Sequence, residues 1–201
     1  TILQFVLSPL MDVYTRPRVI GRDVFRRLPH PVILVANHSS HLDTVLIWAS
    51  LPTRLRAGTR PVAAADYWGR SRFRRFLCGR LRAVLIDRKG GGREALGRMQ
   101  AALAAGESLL LFPEGTRGGS DVPQEFRSGI YHLCAQRPGL EVVPVYLENL
   151  NRILPKGEFL PVPLLARVVF GAPTALEAGE EKEAFLGRLR EGVLGLKGST
   201  P

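Results

Sequence analysis

The chain has only two cysteines, Cys78 and Cys134. They stand alone, with neither C-x-x-C spacing nor paired histidines nearby. That argues against a disulfide framework or a zinc site and for reduced thiols of the cytosolic kind. No apolar run approaches the ~18 residues that a membrane-spanning helix requires, and no secretory leader pattern is present. A G-x-S-x-G elbow and an H-E-x-x-H metal helix are both missing. The one glycine run, Lys89-Gly90-Gly91-Gly92, lacks Walker A or dinucleotide-loop spacing and reads as a flexible turn. Acidic residues are scarce: Asp+Glu 18 against Lys+Arg 28 leaves a net charge of +10. The expected partner is therefore anionic, whether nucleic acid, a membrane surface or a phosphorylated small molecule.

The 201 residues are 45% hydrophobic, which suits one domain over 1–201 with a sizeable core. The chain begins at Thr1 rather than Met, as a processed form or a piece of something longer with an upstream anchor would. Residues 1–30 form an apolar and basic lead-in able to face a membrane. Within it, 1–14 read as a short helix pair interrupted at Pro9. Strand-like and helix-like runs then alternate. Strand 32–36 precedes a helix over 42–51, strand 61–65 a basic helix reaching Cys78, and strand 83–86 a helix over 94–105. Strand 108–112 leads to a helix over 128–136, then come strands 141–147 and 167–170 and a last helix over 182–196. Pro155, Pro161 and Pro163 mark a loop. The alternation predicts an α/β fold, a single domain with a mostly parallel central sheet flanked by helices.

Two polar strings follow directly on apolar strands: Asn37-His38-Ser39-Ser40-His41-Leu42-Asp43 and Phe112-Pro113-Glu114-Gly115-Thr116-Arg117. Ligands of open α/β sheets bind beyond the carboxyl ends of the strands, so both strings should face one site at one sheet edge. Asp43 has two readings. It is either a capping-box partner of a Ser40 N-cap, or the acceptor of the His38 Nδ1 proton, leaving Nε2 free as a base. Asn37 holds the turn, Ser39 and Ser40 make loop bonds, and His41 is structural. A metal site of His38, His41, Asp43 and Glu114 has no motif to support it. Pro113 ends its strand, and Gly115 permits an unusual backbone angle or close approach of a ligand. Glu114 and Arg117 are either an internal ion pair or a site in which Arg117 holds phosphate through its planar fork. The strand at 83–86 ends in Asp87-Arg88 and offers a second guanidinium on the same side.

These residues carry a resemblance. His38-x4-Asp43 within its Asn-His-Ser-Ser-His-Leu-Asp string resembles the first block of the PlsC-like glycerolipid and lysophospholipid acyltransferases. Leu85-Ile86-Asp87-Arg88, after Gly79, resembles the second, residues 112–117 the third, and Val142-Val143-Pro144-Val145 the fourth. Phe126-Arg127-Ser128-Gly129 is similar to the basic segment that follows the third block. The resemblance implies acyl transfer from an acyl-CoA or acyl carrier protein thioester to a lysophospholipid-type hydroxyl such as that of 1-acylglycerol 3-phosphate. His38 is then the general base and Asp43 steadies its imidazolium. Arg88, Glu114, Gly115, Thr116 and Arg117 meet the acceptor head group, and Pro144 lines the site. Backbone N–H groups hold the oxyanion, and no metal or redox cofactor takes part. One position departs from the pattern: Ala64 stands in Ala63-Ala64-Ala65-Asp66-Tyr67 where many members that acylate lysophosphatidate have a lysine. A glycolipid, another lysolipid or a natural product therefore stays open as acceptor.

Residues 68–82 interleave arginines with Trp68, Phe73, Phe76 and Leu77. Either an apolar stripe packs on the sheet with solvated arginines, or the helix meets anionic lipid. Nucleic-acid binding lacks a recognition motif and leaves the strand-end clusters unexplained; a non-catalytic basic binding module is the rival of another class. The expected location is the cytosolic face of a membrane, peripheral and not spanning, with a soluble cytoplasmic form as the alternative.

Overall fold

The two strands that precede the motif strings are buried at every position: β2 (Ile33–Ala36) and β5 (Ser108–Leu111). The absence of a polar alternation has a physical cause, since parallel strands covered by helices on both faces meet no water. In the computed structural model, which describes residues 17–40, 42–68, 72–87, 91–116, 118, 122–149 and 166–199, they lie at the centre of a seven-stranded sheet. The other strands are β1 (Arg18–Ile20), β3 (Thr59–Ala64), β4 (Val84–Ile86), β6 (Val142–Glu148) and β7 (Arg167–Phe170). Their order is β1-β7-β6-β2-β5-β3-β4. The five strands from β6 to β4 run parallel; β7 is antiparallel to β6 and carries β1 parallel to itself. The α/β architecture with a mostly parallel sheet is thus present.

Each face of the sheet builds its own core. Ile33 and Val35 pack with Leu109, Met99, Ile130 and Phe185 under α5 (Gly92–Ala104), α6 (Gly129–Ala135) and α7 (Lys182–Leu194). Leu34 and Ala36 face the other way, onto Leu46, Ile47 and Phe25, beneath α1 (Asp43–Ser50) and a 3₁₀ turn at Arg22–Arg26. Short helices α2 (Thr53–Arg56), α3 (Ala65–Trp68) and α4 (Arg72–Arg80) complete the described elements. Cys78 and Cys134 are both buried and free, and burial pushes the Cys134 thiol up to about 12.

Register is what positions the site. Ile33 pairs with Leu109 and Val35 with Leu111, while Ile33 pairs with Val142 and Ala36 with Val145. Parallel neighbours in that register end together, so the chain leaves β2 and β5 side by side at one edge. The residues after β3 and β4 emerge at the same edge, since both continue the parallel set.

Candidate active site

Beyond β2 the chain is pinned before it turns. The Asn37 side chain accepts the Leu147 N–H at 2.7 Å and donates to the Leu147 carbonyl at 3.0 Å, extending the β2–β6 pairing by one side chain. His38 follows, and its Nδ1–H donates to Asp43 Oδ2 at 2.8 Å. That same oxygen accepts the backbone N–H groups of Ser39 at 2.7 Å and Ser40 at 2.9 Å. Asp43 is fully buried, whereas the His38 side chain keeps 22% of its surface open. One oxygen of Asp43 thus accepts both from the imidazole and from the backbone donors ahead of the helix. Ser40 departs from its expected N-cap role: Leu42 occupies that place, and the Ser40 hydroxyl accepts the Leu42 N–H at 3.3 Å. The reason is the carboxylate, which already reaches back to the donors at the helix start.

The second loop holds the first. Glu114 is buried (4% exposed), and its Oε1 accepts the His38 N–H at 2.8 Å while Oε2 accepts the Gln124 N–H at 3.0 Å. Burial raises its carboxyl above the ordinary carboxylate range, against the lowering effect of the two backbone bonds. The His38 carbonyl accepts from Gly118 N–H at 2.9 Å. The Phe112 ring stacks on the imidazole, with centroids 4.2 Å apart and planes 24° apart. With one imidazole face covered and Nδ1 committed to Asp43, Nε2 is the nitrogen left for chemistry. Gly115 closes the turn through its N–H to the Phe112 carbonyl at 3.0 Å, with φ +74°.

His38 opens into a cavity of about 970 Å³. Its interior is apolar, formed by residues such as Val62, Ile86, Leu96, Met99 and Leu111 from β3, β4, α5 and β5, with Leu81 from the turn before β4. Polar and charged residues also line it, among them Thr44, Asp66, Asp87, Arg93, Thr116 and Arg127. Ala64, the departing position, is buried and lines it as well. Such a space suits a ligand with a long apolar part and a polar reacting end.

The structure brings His38, Gly115 and Thr116 to this cavity and sets Asp43 directly behind His38. Two expected head-group or lining residues lie elsewhere. Glu114 spends both carboxylate oxygens on backbone donors beneath the loops. Pro144 sits within β6, its ring directed at the Cα of Gly171 in the packed core. Neither lines the cavity. Arg88, Arg117 and His41 fall outside the described residues, as do residues 1–16 and the proline-marked loop. Three neighbours of the site carried no role from sequence: Phe112 as a stacking partner, Gly118 as a donor and Arg127 as a cavity residue. Phe112 and Arg127 stood inside strings already singled out; Gly118 left no signal.

His38, Asp43 and the turn that holds them all fall within residues 16–148, the stretch matched by a family model described as Acyltransferase. The chain belongs to the acyltransferase family. A 1-acyl-sn-glycerol-3-phosphate acyltransferase of Chlamydomonas reinhardtii is 30% identical over 145 residues, 70% of this chain and 41% of that protein. Taffazin of Dictyostelium discoideum is 29% identical, over 70% of this chain and 53% of its own. The human 1-acyl-sn-glycerol-3-phosphate acyltransferase alpha is 28% identical, over 82% and 58%. The chain thus spans about half the length of these curated relatives. The crystal structure of the 1-acyl-sn-glycerophosphate (LPA) acyltransferase PlsC from Thermotoga maritima shares the fold, at 19% identity and a TM-score of 0.73, over 99% of this chain and 81% of that one. Acyltransferase membership and the α/β sheet thus agree with the reading of the four sequence blocks.

Proposed function

We propose that this acyltransferase-family protein moves a fatty acyl group from an acyl thioester, on CoA or an acyl carrier protein, to the hydroxyl of a lysophospholipid-type acceptor such as 1-acylglycerol 3-phosphate. One observation carries the reading: the His38–Asp43 pair, 2.8 Å apart, at the edge of an apolar cavity large enough for an acyl chain. The acceptor O–H gives its proton to His38 Nε2 as the oxygen bonds to the thioester carbonyl carbon. The resulting oxyanion re-forms the carbonyl, the C–S bond breaks, and His38 returns the proton to the thiolate. Proton, acyl group and thiol balance without a further reactant. Asp43 holds the tautomer that exposes Nε2 and faces the imidazolium that forms. A positioned base of this kind contributes about 10²–10⁴ in rate.

Release of free thiol from acyl-CoA only when a lysolipid is added, and its loss in His38→Ala, tests the proposal. Thiol release that ignores the acceptor, or persists in that variant, overturns it. A non-catalytic basic module would release none. A panel of lysophosphatidate, other lysolipids and a glycolipid in the same assay identifies the acceptor.

The location we propose is peripheral, on an anionic and cytosol-facing bilayer surface. No helix among the described residues is long and apolar enough to cross a membrane. Support comes from α4, where Arg72, Arg75, Arg80 and Phe76 are exposed while Cys78 is buried against the cavity.

A further inference from the structure

One charged group lining the cavity has no part in the chemistry above. Arg127 lies between the turn after β5 and α6, and its backbone N–H bonds to the Pro113 carbonyl at 3.0 Å. Its side chain runs against Gly115: a Cβ added there would stand 2.4 Å from Arg127 Nε and 2.6 Å from Cζ. Glycine at 115 thus allows the positive φ and leaves the room that the guanidinium takes up in this arrangement. Although it packs against this turn, Arg127 remains exposed and lines the same cavity as His38 and Thr116. No carboxylate pairs with it among the described residues, whereas Arg60, Arg98, Arg167 and Arg188 each hold a glutamate. A guanidinium fixed in direction by packing, with its charge unneutralised, is preorganised for an oxyanion, because the planar fork matches two oxygens and has little rotamer freedom left to lose.

We infer that Arg127 is a substrate-binding residue that holds a phosphate oxyanion of one of the two reactants, with the flat of its guanidinium braced on Gly115. The inference rests on the acyl-transfer reading. Phosphate is the shared chemistry, and it can belong to the acceptor head group or to the CoA part of the donor. Asp66, Asp87, Arg93 and His132 also line the cavity.

The test measures initial rates of thiol release for wild type, Arg127→Gln and Arg127→Lys. Lysophosphatidate and phosphate-free monoacylglycerol serve as acceptors, and acyl-CoA and an acyl N-acetylcysteamine thioester as donors. Loss of one charge-assisted contact is worth about 10–100-fold in KM. We expect Arg127→Gln to raise KM for lysophosphatidate by that factor with kcat little changed. Monoacylglycerol kinetics should stay as in wild type, which also shows that the turn and His38 are intact. Arg127→Lys should recover part of the loss. A rise confined to acyl-CoA, and absent with the N-acetylcysteamine thioester, assigns the oxyanion to the donor and sustains the inference. Equal losses with every substrate, unrelieved by lysine, make Arg127 a structural brace of the turn and overturn it, as does no change at all. Arg98→Gln, whose guanidinium is held by Glu94, controls for loss of surface charge. Wild type inactive with every pair defeats the acyl-transfer reading itself and this assignment with it, a result visible before any variant is made.

Discussion

The cavity has two unlike walls. Directly behind the wall at the ends of β2 and β5 most polar groups are committed: Asn37 to Leu147, one oxygen of Asp43 to three donors, Glu114 to two backbone N–H groups, with Asp43 Oδ1 buried and unpartnered. The residues after β3 and β4 instead present exposed Asp66 and Asp87 around an apolar interior, and the exposed Arg72 and Arg80 of α4 lie outside that lining. One wall resembles a protein interior and the other a protein surface. Reaction chemistry needs atoms held to fractions of an ångström, whereas recognition of a lipid chain needs volume and a charged rim. The difference tells which changes should stop the reaction and which should only redirect it.

The strongest test of that division is His38→Ala. Turnover should fall by about 10²–10⁴-fold or beyond detection, with the circular dichroism spectrum and Tm close to wild type. A smaller rate loss would show that the committed wall is not where the chemistry happens. Asp43 should separate the two duties of its oxygen. Asp43→Asn, which can still accept from the backbone, should lose about 10²-fold in kcat. Asp43→Ala should in addition cost about 2–6 kcal/mol of unfolding free energy, since it leaves the Ser39 and Ser40 N–H groups without a partner; chemical denaturation reads the difference.

Glu114 makes the wall sensitive to pH. Its folded pKa is raised from 4.5 by burial, so between that value and the raised one the folded protein keeps a proton the unfolded chain has lost. Stability contributed by the protonated form is then full below 4.5 and lost as pH rises through the folded value. Glu114→Gln lacks this titration, so its Tm relative to wild type should be lowest at acid pH and improve as pH rises through that window. A Tm difference independent of pH would contradict the burial argument.

The smallest effect belongs to the exposed arginines of α4. Replacing Arg72, Arg75 and Arg80 with glutamine should weaken binding to anionic vesicles by about 1 kcal/mol per residue at low salt. Thiol release with acceptor in detergent should be unaffected. Binding of the wild type should weaken with salt without vanishing, because exposed Phe76 adds a contact that salt does not screen.

The committed wall was also the legible one. A histidine and an aspartate five residues apart in the string after one apolar strand can meet only where the chain turns from loop to helix, so the sequence offered a dyad beside a helix cap. The strand runs were read nearly to the residue, since strands buried on both faces are continuous apolar stretches: 167–170 matches β7, and 32–36 overshoots β2 by one. Missed elements were short. β1 has three residues with an exposed first position, and the 3₁₀ turn at Arg22–Arg26 and helix α2 have too few residues to show a period. The reversal of β7 was illegible too, because alternation records burial and not direction. Glu114 looked like a head-group ligand for a related reason: composition near a strand end shows that a carboxylate is present but not whether backbone donors have already claimed it.

The Asn37 and Glu114 contacts also bear on how this protein is made. His38 and Glu114 are separated by 76 residues of chain, and Asn37 and Leu147 by 110. Loops of that length must close before either bond stabilises anything, and non-local pairings of this kind form late and slowly. A nascent chain that has emerged only as far as α6 contains the histidine, the aspartate and the turn that braces them, yet still lacks β6 beside β2. The turn that carries His38, pinned through Asn37 to Leu147, is therefore completed only once synthesis has passed Leu147.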